Sequence, residues 1–219
     1  MKSDNALGSL IQAFERFLKE LAIVCVDHVA PYVLDGRFDS FEPRGSNLAI
    51  HFQAGTVGKA MCESDTWLND SSVNERFRQM LKSPFGTPWD YLFPNELQQP
   101  AADRQRARTL AILWQVRHNL AHNVGAITKS DALKLRLLVK GNVAGERLLS
   151  PDENDLRYVK RFLFETANAI NQKVGDRLAT LLTEIHQSDS TLFDAQQMAD
   201  SVSKGFGNAF TVDGAVGVL

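Results

Sequence analysis

Three long segments of this chain carry apolar residues at helical spacing, and this pattern constrains the fold more than any other feature. In the first segment the apolar stripe comprises Leu7, Ile11, Phe14, Leu18, Leu21, Cys25 and Val29. Steps of three and four residues place these side chains on one face of an α-helix. We therefore predict one amphipathic helix that begins near Ser3 or Asp4 and ends before Pro31, which cannot continue it.

Two further segments show the same helical pattern. The second helix is predicted to run from about residue 101 to about residue 122. The third begins in "SPDENDL", where Ser150 is the expected cap, Pro151 is the first helical residue and Glu153 follows the cap by three positions. Its apolar stripe should continue to about residue 187.

The segment between the second and third helices has a different pattern. In "LKLRLLV" a leucine or valine stands at every second position from 133 to 139, a period typical of a β-strand. The turn "KGNVAG" and the run "ERLLS" would complete a hairpin. We therefore predict an all-α fold: a helical bundle of long antiparallel helices with a small β-hairpin inserted after the second helix.

The chain is predicted to comprise one helical domain, residues 1–187, and a C-terminal tail, residues 188–219. The tail contains several glycines and lacks a clear period, so we expect it to bind a partner or to be poorly ordered.

The composition of the chain argues against several classes of protein. A formal net charge of −2 argues against a bulk electrostatic nucleic-acid binder, although it permits a local basic patch. The two cysteines cannot form a disulfide framework, and no CxxC pair suggests zinc. The first residues lack the pattern of a signal peptide, and the longest apolar run, "LAIVCV", is too short to cross a bilayer. We expect a cytoplasmic protein with no membrane segment.

The stretch "WQVRHNLAHNVGAI", residues 114–127, ends the second helix with a cluster of polar side chains. On a helical wheel Arg117 lies one turn after Leu113. His118 likewise lies one turn after Trp114, so both polar residues are predicted to enter the apolar stripe. A charge at such a position is costly unless it meets a partner or a water-lined cleft. This cluster is therefore the candidate site.

The residue types in the cluster suit phosphodiester chemistry. His122 lies one turn after His118, in the last turn of the helix, where the helix dipole favours a protonated imidazole. Histidine transfers protons near neutral pH, and arginine binds a phosphate through two parallel hydrogen bonds. Histidine and arginine without a carboxylate cluster suit metal-free cleavage of RNA, with the 2′-hydroxyl as the nucleophile.

Several polar residues of the same helix also fall close to one line along its surface. They are Arg104, Arg108, Gln115, Asn119 and His122. An RNA backbone could follow this line, with Arg104 and Arg108 as binding residues. The alternative is an ordinary solvated arginine face.

The stretch "RHNLAH" resembles the Rx4–6H motif of the HEPN domain family, an arginine followed by a polar residue and then by a histidine. The continuation "HNVGAIT" is similar to the subset in which asparagine, one further residue and glycine follow the histidine. The helices predicted on both sides of the motif agree with the helical bundle of that family. The resemblance covers about residues 6–187.

This resemblance implies a metal-independent endoribonuclease, a toxin or defence effector, whose two subunits face one another across a composite cleft. Arg117 would position or stabilise the scissile phosphate, and His122 would be the general acid or base. His118 would tune the site, share the acid and base roles with His122, or be structural. Asn119 and Asn123 would be supporting hydrogen-bonders. The expected partners are RNA, a second copy of the chain and an antitoxin or regulatory protein; no cofactor is expected.

Three other interpretations of the cluster stay open. His118 and His122 have the spacing by which one helix offers two imidazoles to a metal ion, although no HExxH pattern is present and no third ligand is evident. The chain could also be a catalytically inactive HEPN-like module that binds nucleotides or RNA or mediates dimerisation. Finally, the polar side chains could only cap helix carbonyls.

Overall fold

The computed structural model of the protein describes residues 2–33, 36–38, 57–63, 70–90, 92–93, 101–122, 127–139, 150–191 and 194–209. The α-helices in these ranges are α1 (Lys2–Val29), α2 (Val57–Glu63), α3 (Asp70–Met80), α4 (Ala101–His122), α5 (Lys129–Val139), α6 (Glu153–Ser188) and α7 (Ala195–Ala209). A short 3-10 helix, Ala30–Tyr32, follows α1. The described residues contain no strand, which agrees with the predicted all-α class. None of the helices described combines the length and the hydrophobicity required to span a bilayer.

The three long helices lie where their apolar stripes predicted them. Helix α1 ends at Val29, and Pro31 occupies the first turn of the 3-10 helix, where its missing N–H is tolerated. Helix α4 has the predicted bounds, Ala101–His122, and α6 ends at Ser188, one residue beyond the prediction. These segments were predictable because each buries one continuous stripe.

Helix α6 begins two residues later than predicted, because Asp152 caps it in place of Ser150. The backbone N–H of Asp155 donates to Oδ1 of Asp152 at 2.8 Å. In return, the backbone N–H of Asp152 donates to Oδ2 of Asp155 at 3.0 Å. This reciprocal pair satisfies two of the backbone donors that a helix start leaves without intrahelical acceptors. Glu153 is therefore the first helical residue.

The predicted strand at residues 133–139 is wrong: these residues belong to helix α5, Lys129–Val139. Ala132 and Leu135 are buried with Ile127, and Ile112 of α4 packs against them. Leu133, by contrast, is exposed. The burial pattern thus follows a three-residue step, and the alternation of leucines does not mark two faces of a strand. The predicted turn and second strand fall mostly in residues 140–149, outside the described residues.

The chain divides into two compact units, and the division does not follow the predicted boundary at residue 187. The first unit comprises Met1–Phe17, Leu68–Ser72 and Phe93–Ala167. The second comprises Leu18–Trp67, Val73–Leu92 and Asn168–Leu219. Helices α1 and α6 each contribute one part to each unit, because their lengths exceed the depth of a single core.

The first unit has an apolar core built from α1, α4, α5 and α6. Its buried side chains include Leu7, Ile11, Phe14, Leu110, Leu113, Trp114, Leu135 and Leu163. This unit contains the whole of α4 and therefore the candidate site.

The second unit has its own core, which includes parts of α1, α3 and α6. Its buried side chains include Val26, Phe77, Met80, Leu81, Leu178, Leu181, Leu182 and Ile185. Cys25 and Cys62 are free thiols buried in the same unit. The segment predicted as a tail contributes helix α7, whose Ala199 and Val202 are buried.

Helix α2 meets α1 at a position that only glycine can occupy. The backbone N–H of Gly58 donates to Oδ1 of Asp27 at 2.6 Å. A Cβ at residue 58 would lie 2.4 Å from the carbonyl oxygen of Ile23, a backbone atom that cannot rotate away. The close approach of the two helices therefore depends on the missing side chain.

We expect Gly58→Ala to lower the free energy of unfolding by about 1–3 kcal/mol, because α2 must shift away from α1. Gly8→Ala is the matched control: its Cβ would lie 4.0 Å from Cδ1 of Leu120, an ordinary van der Waals distance. Since alanine favours the helix, this control should stabilise the protein by up to about 1 kcal/mol. Urea unfolding of both variants tests the expectation, and equal effects would contradict the close approach at Gly58.

Candidate functional site

Helix α4 is fixed in the first unit by its apolar side. Leu110, Leu113 and Trp114 are buried, as the wheel predicted. The ring of Phe93 packs edge-on against Trp114, with 5.6 Å between centroids and an interplanar angle of 78°. Such an arrangement is favourable for aromatic pairs and holds the helix one turn before the polar cluster.

Arg117 extends from this anchored part of α4 and forms an ion pair with Glu15 of α1. The distance between Nε of Arg117 and Oε1 of Glu15 is 3.2 Å, and the two side chains are only 21% and 11% exposed. Both atoms are inaccessible to solvent, and the contact lacks the alignment of a hydrogen bond. The costly charge predicted on the apolar stripe is therefore matched by an opposite charge from a neighbouring helix.

Among the described residues, only Glu15 pairs with the guanidinium, and it does so through Nε. The carboxylate of Glu15 contacts Nε, so the Nη1 and Nη2 atoms remain for a ligand. These two nitrogens can bind a phosphate end-on through parallel hydrogen bonds.

Burial dominates the electrostatics of Glu15. Removal from water raises the pKa of this carboxyl above its ordinary value, and the charge of Arg117 opposes the change only in part. The charge of Arg117 therefore offsets only part of the cost of burying this carboxylate.

The structure corrects the predicted position of His118. The wheel placed this residue on the core-facing stripe, but its side chain is exposed. Asn119, the next residue, is instead fully buried. The buried face of α4 is therefore shifted by about one residue near its end, so that Asn119 lies in the packed interior and His118 faces solvent.

The remaining predicted site residues are described only in part. His122 is the last residue of α4, as predicted, but its side chain is outside the described part of the structure, as is that of Arg104. Asn123 lies wholly outside the described residues. Arg108 is half-buried with its Nε atom inaccessible to solvent, so it is not a fully solvated arginine.

A buried carboxylate beside the cluster was not predicted. Asp131 accepts a hydrogen bond from Nε2 of Gln115 at 2.9 Å and another from the Thr128 hydroxyl at 2.7 Å. Thr128 Oγ1 in turn accepts the backbone N–H of Asp131 at 3.1 Å, which caps the start of α5. Through these contacts Asp131 connects α4 to α5 at the end of the motif helix.

Sequence patterns were available for both missed carboxylates. "TKSD" has the spacing of a capping box, with Thr128 as the cap and Asp131 as its third residue. Glu15 stands four residues after Ile11 and three before Leu18, within the apolar stripe of α1. A carboxylate on one stripe and an arginine on another together indicate a buried ion pair.

The described residues contain no group of three side chains that could hold a metal ion. Comparisons with family models, with curated proteins and with solved structures find no match to the chain. The protein is thus an all-helical protein with a polar cluster at the end of α4. This cluster is the candidate functional site.

The raised pKa of Glu15 gives a pH-dependent test of the ion pair. Because the native state binds this proton more tightly than the unfolded state, the free energy of unfolding falls as pH rises above the ordinary value of about 4.5. Glu15→Gln lacks this pH-dependent contribution to the free energy of unfolding, because glutamine does not titrate. The free energy of unfolding of Glu15→Gln minus that of wild type should therefore increase as pH rises above about 4.5 and then level off.

Urea unfolding at several pH values between about 4 and 7 measures this difference. Glu20→Gln, the same substitution at an exposed position of α1, is the control, and the increase with pH should be larger for Glu15→Gln than for this control. If this difference in the free energy of unfolding is constant or decreases with pH for Glu15→Gln, burial does not outweigh the charge of Arg117 in setting the pKa of Glu15.

Proposed function

We propose that the protein is a metal-independent endoribonuclease whose site is formed by Arg117, His122 and His118 at the end of α4. The observation that carries this proposal is the geometry of Arg117: Glu15 contacts its Nε atom, while its outer nitrogens have no partner among the described residues. The exposed His118 directly follows it in the chain. The end of α4 thus offers a phosphate-binding group and proton-transfer groups within its last two turns.

We assign Arg117 to binding the scissile phosphate. An arginine side chain has about 2 kcal/mol of rotamer entropy, part of which it loses when it binds a ligand. The contact with Glu15 restricts Arg117 before the ligand arrives, so less of that entropy is lost on binding. The guanidinium would offset the negative charge that develops on the phosphate oxygens during cleavage.

The histidines are assigned to proton transfer. A neutral imidazole removes the proton from the 2′-hydroxyl, whose oxygen then attacks the adjacent phosphorus. The bond from phosphorus to the 5′-oxygen breaks, and a protonated imidazole supplies the proton to that leaving oxygen. The products are a 2′,3′-cyclic phosphate and a 5′-hydroxyl, so neither water nor a metal ion enters this step. His122 has the position at the helix end that favours its protonated form.

The proposal includes a homodimer in which two copies of the site complete one cleft. Support comes from exposed apolar side chains in the first unit, the unit that contains the motif. Leu133, Tyr158 and Phe164 are large and exposed there, and the ring of Tyr158 stacks on Phe162. We assign these side chains to the proposed subunit contact, because large contiguous apolar patches on a surface mark protein interfaces. A toxin or defence role, an antitoxin or regulatory partner and a cytoplasmic location belong to the same proposal.

A non-catalytic RNA- or nucleotide-binding module is the second candidate. One observation favours it: the carboxylate of Glu15 neutralises Arg117 within the fold, which reduces the field available to a reacting phosphate. Such a site would still bind a phosphate without accelerating its cleavage.

RNA cleavage by the purified protein in excess EDTA tests the proposal. Arg117 should be removed together with Glu15, as Glu15→Gln/Arg117→Gln, because Arg117→Gln alone would leave a buried carboxylate without its partner. This double variant, His122→Ala and His118→Ala are compared with wild type. His186→Ala, a histidine of the second unit, is the matched control.

We expect wild type and His186→Ala to cleave RNA and to leave 2′,3′-cyclic phosphate ends. His122→Ala should lower the rate by about 10²–10⁴, the usual contribution of general acid–base catalysis. The double variant should be similarly impaired. If wild type binds RNA but cleaves none of it, the non-catalytic module replaces the ribonuclease. Cleavage that EDTA abolishes would instead support the metal site.

A further inference from the structure

Polar side chains from other segments of the second unit hold the loop at residues 81–90 in place. At its start, Arg37 donates to the carbonyl oxygens of Met80 and Lys82 at 3.3 and 2.5 Å. Arg177 donates through Nε to the carbonyl of Leu81 at 2.9 Å and pairs through both Nη atoms with Glu184. Two arginines thus satisfy carbonyls at the end of α3 that would otherwise repel an anion.

The far end of the loop is fixed in a similar way. Nε of Arg78 donates to the carbonyl of Trp89 at 3.2 Å. The ammonium of Lys173 lies 5.4 Å from the centroid of the Trp89 ring and 3.7 Å from a carboxylate oxygen of Asp90. Both ends of the loop are therefore tied to cationic side chains of the same unit.

The middle of the loop is ordered by its own hydrogen bonds. Ser83 donates its backbone N–H to Thr87 O at 3.0 Å, and Gly86 donates to Ser83 O at 3.1 Å. The N–H of Phe85 donates to the Ser83 hydroxyl at 3.3 Å. Gly86 has a φ of 90°, a conformation that glycine adopts without strain. The loop is consequently pre-organised, and a ligand would not have to order it.

This rigid loop presents an aromatic ring and a basic cavity. The side chain of Phe85 is 63% exposed. Next to it in the chain, Gly86 lines a cavity of about 240 Å³ together with Arg78, Gln79, Lys82 and Pro88. Arg78 lies 3.7 Å from the exposed carboxylate of Glu75. Lys82 forms no ion pair within the described part of the chain, so its charge is available.

We propose that this loop binds a single-stranded segment of RNA, with a base stacked on Phe85 and a phosphate in the cavity beside Lys82 and Arg78. An exposed ring on a rigid support provides a stacking platform for any base, and the two cations provide the matching phosphate contact. The cavity has room for a phosphate group but not for a folded partner. The choice of RNA rests on the proposed function, for which this loop supplies a second binding site.

The binding test uses the full chain and a labelled 2′-O-methyl oligoribonucleotide of about 12 nucleotides, followed by fluorescence anisotropy. Without a free 2′-hydroxyl the probe cannot be cleaved by the proposed chemistry, so binding is measured independently of catalysis. Phe85→Ala and Lys82→Gln are compared with wild type. Lys204→Gln repeats the lysine substitution at another exposed position of the second unit and serves as the control.

We expect Phe85→Ala to raise Kd by about tenfold or more, the usual effect of removing a stacking platform. Lys82→Gln should weaken binding and lower the slope of log Kd against log salt by about 0.7, the value for one phosphate contact on a single strand. The Lys204→Gln control should bind as wild type does. Circular dichroism of each variant confirms an unchanged helical content.

The proposal is overturned if wild type does not bind the probe, or if Phe85→Ala and Lys82→Gln bind it as tightly as wild type and Lys204→Gln do. Displacement of the probe by an acidic peptide at lower concentration than by unlabelled RNA would also overturn it, in favour of a protein ligand. Loss of binding in the loop variants, with no cleavage of ordinary RNA by wild type, would uphold this site while rejecting the ribonuclease.

Discussion

The ion pair between Glu15 and Arg117 is the interaction on which the first unit and its candidate site depend. Two opposite charges lie on the apolar stripes of α1 and α4, each with little access to water. Removing one partner of a buried pair typically costs about 3–5 kcal/mol, whereas replacing both with uncharged groups of similar volume is often neutral. The position of Arg117 is thus coupled to the folding of α1, although the two residues are far apart in sequence.

Arginine has a related role in the second unit, where it satisfies backbone groups. Arg37 and Arg177 bind carbonyl oxygens at the end of α3, where no further helical turn supplies donors. Because a guanidinium has several donors in a fixed plane, one side chain can bind a carbonyl and a carboxylate together, as Arg177 does with Leu81 and Glu184. The loop that follows is held in one conformation as a result.

The sequence was informative wherever a long stripe of apolar residues had one interpretation. The bounds of α4 agree with the approximate ones predicted, and Pro31 marked the end of α1. The sequence wrongly predicted a strand at residues 133–139. A leucine-rich segment fits both the strand period of two and the helical period of about 3.6, and burial decides between them. Leu133 is exposed and Leu135 buried, which is helical spacing relative to Ala132. His118 was misplaced because small rotations near a helix end move a residue from the core to the surface.

The sequence by itself determined the helical class, the three long helices and the polar cluster at the end of α4, because these depend on residue type and local spacing. Only the tertiary structure decided which polar groups meet: Glu15 with Arg117, Gln115 with Asp131, and Arg177 with the carbonyl of Leu81. Such contacts join residues distant in the chain, and their strength depends on burial. Burial is a property of the packed core, to which many segments contribute at once, and no local pattern contains it.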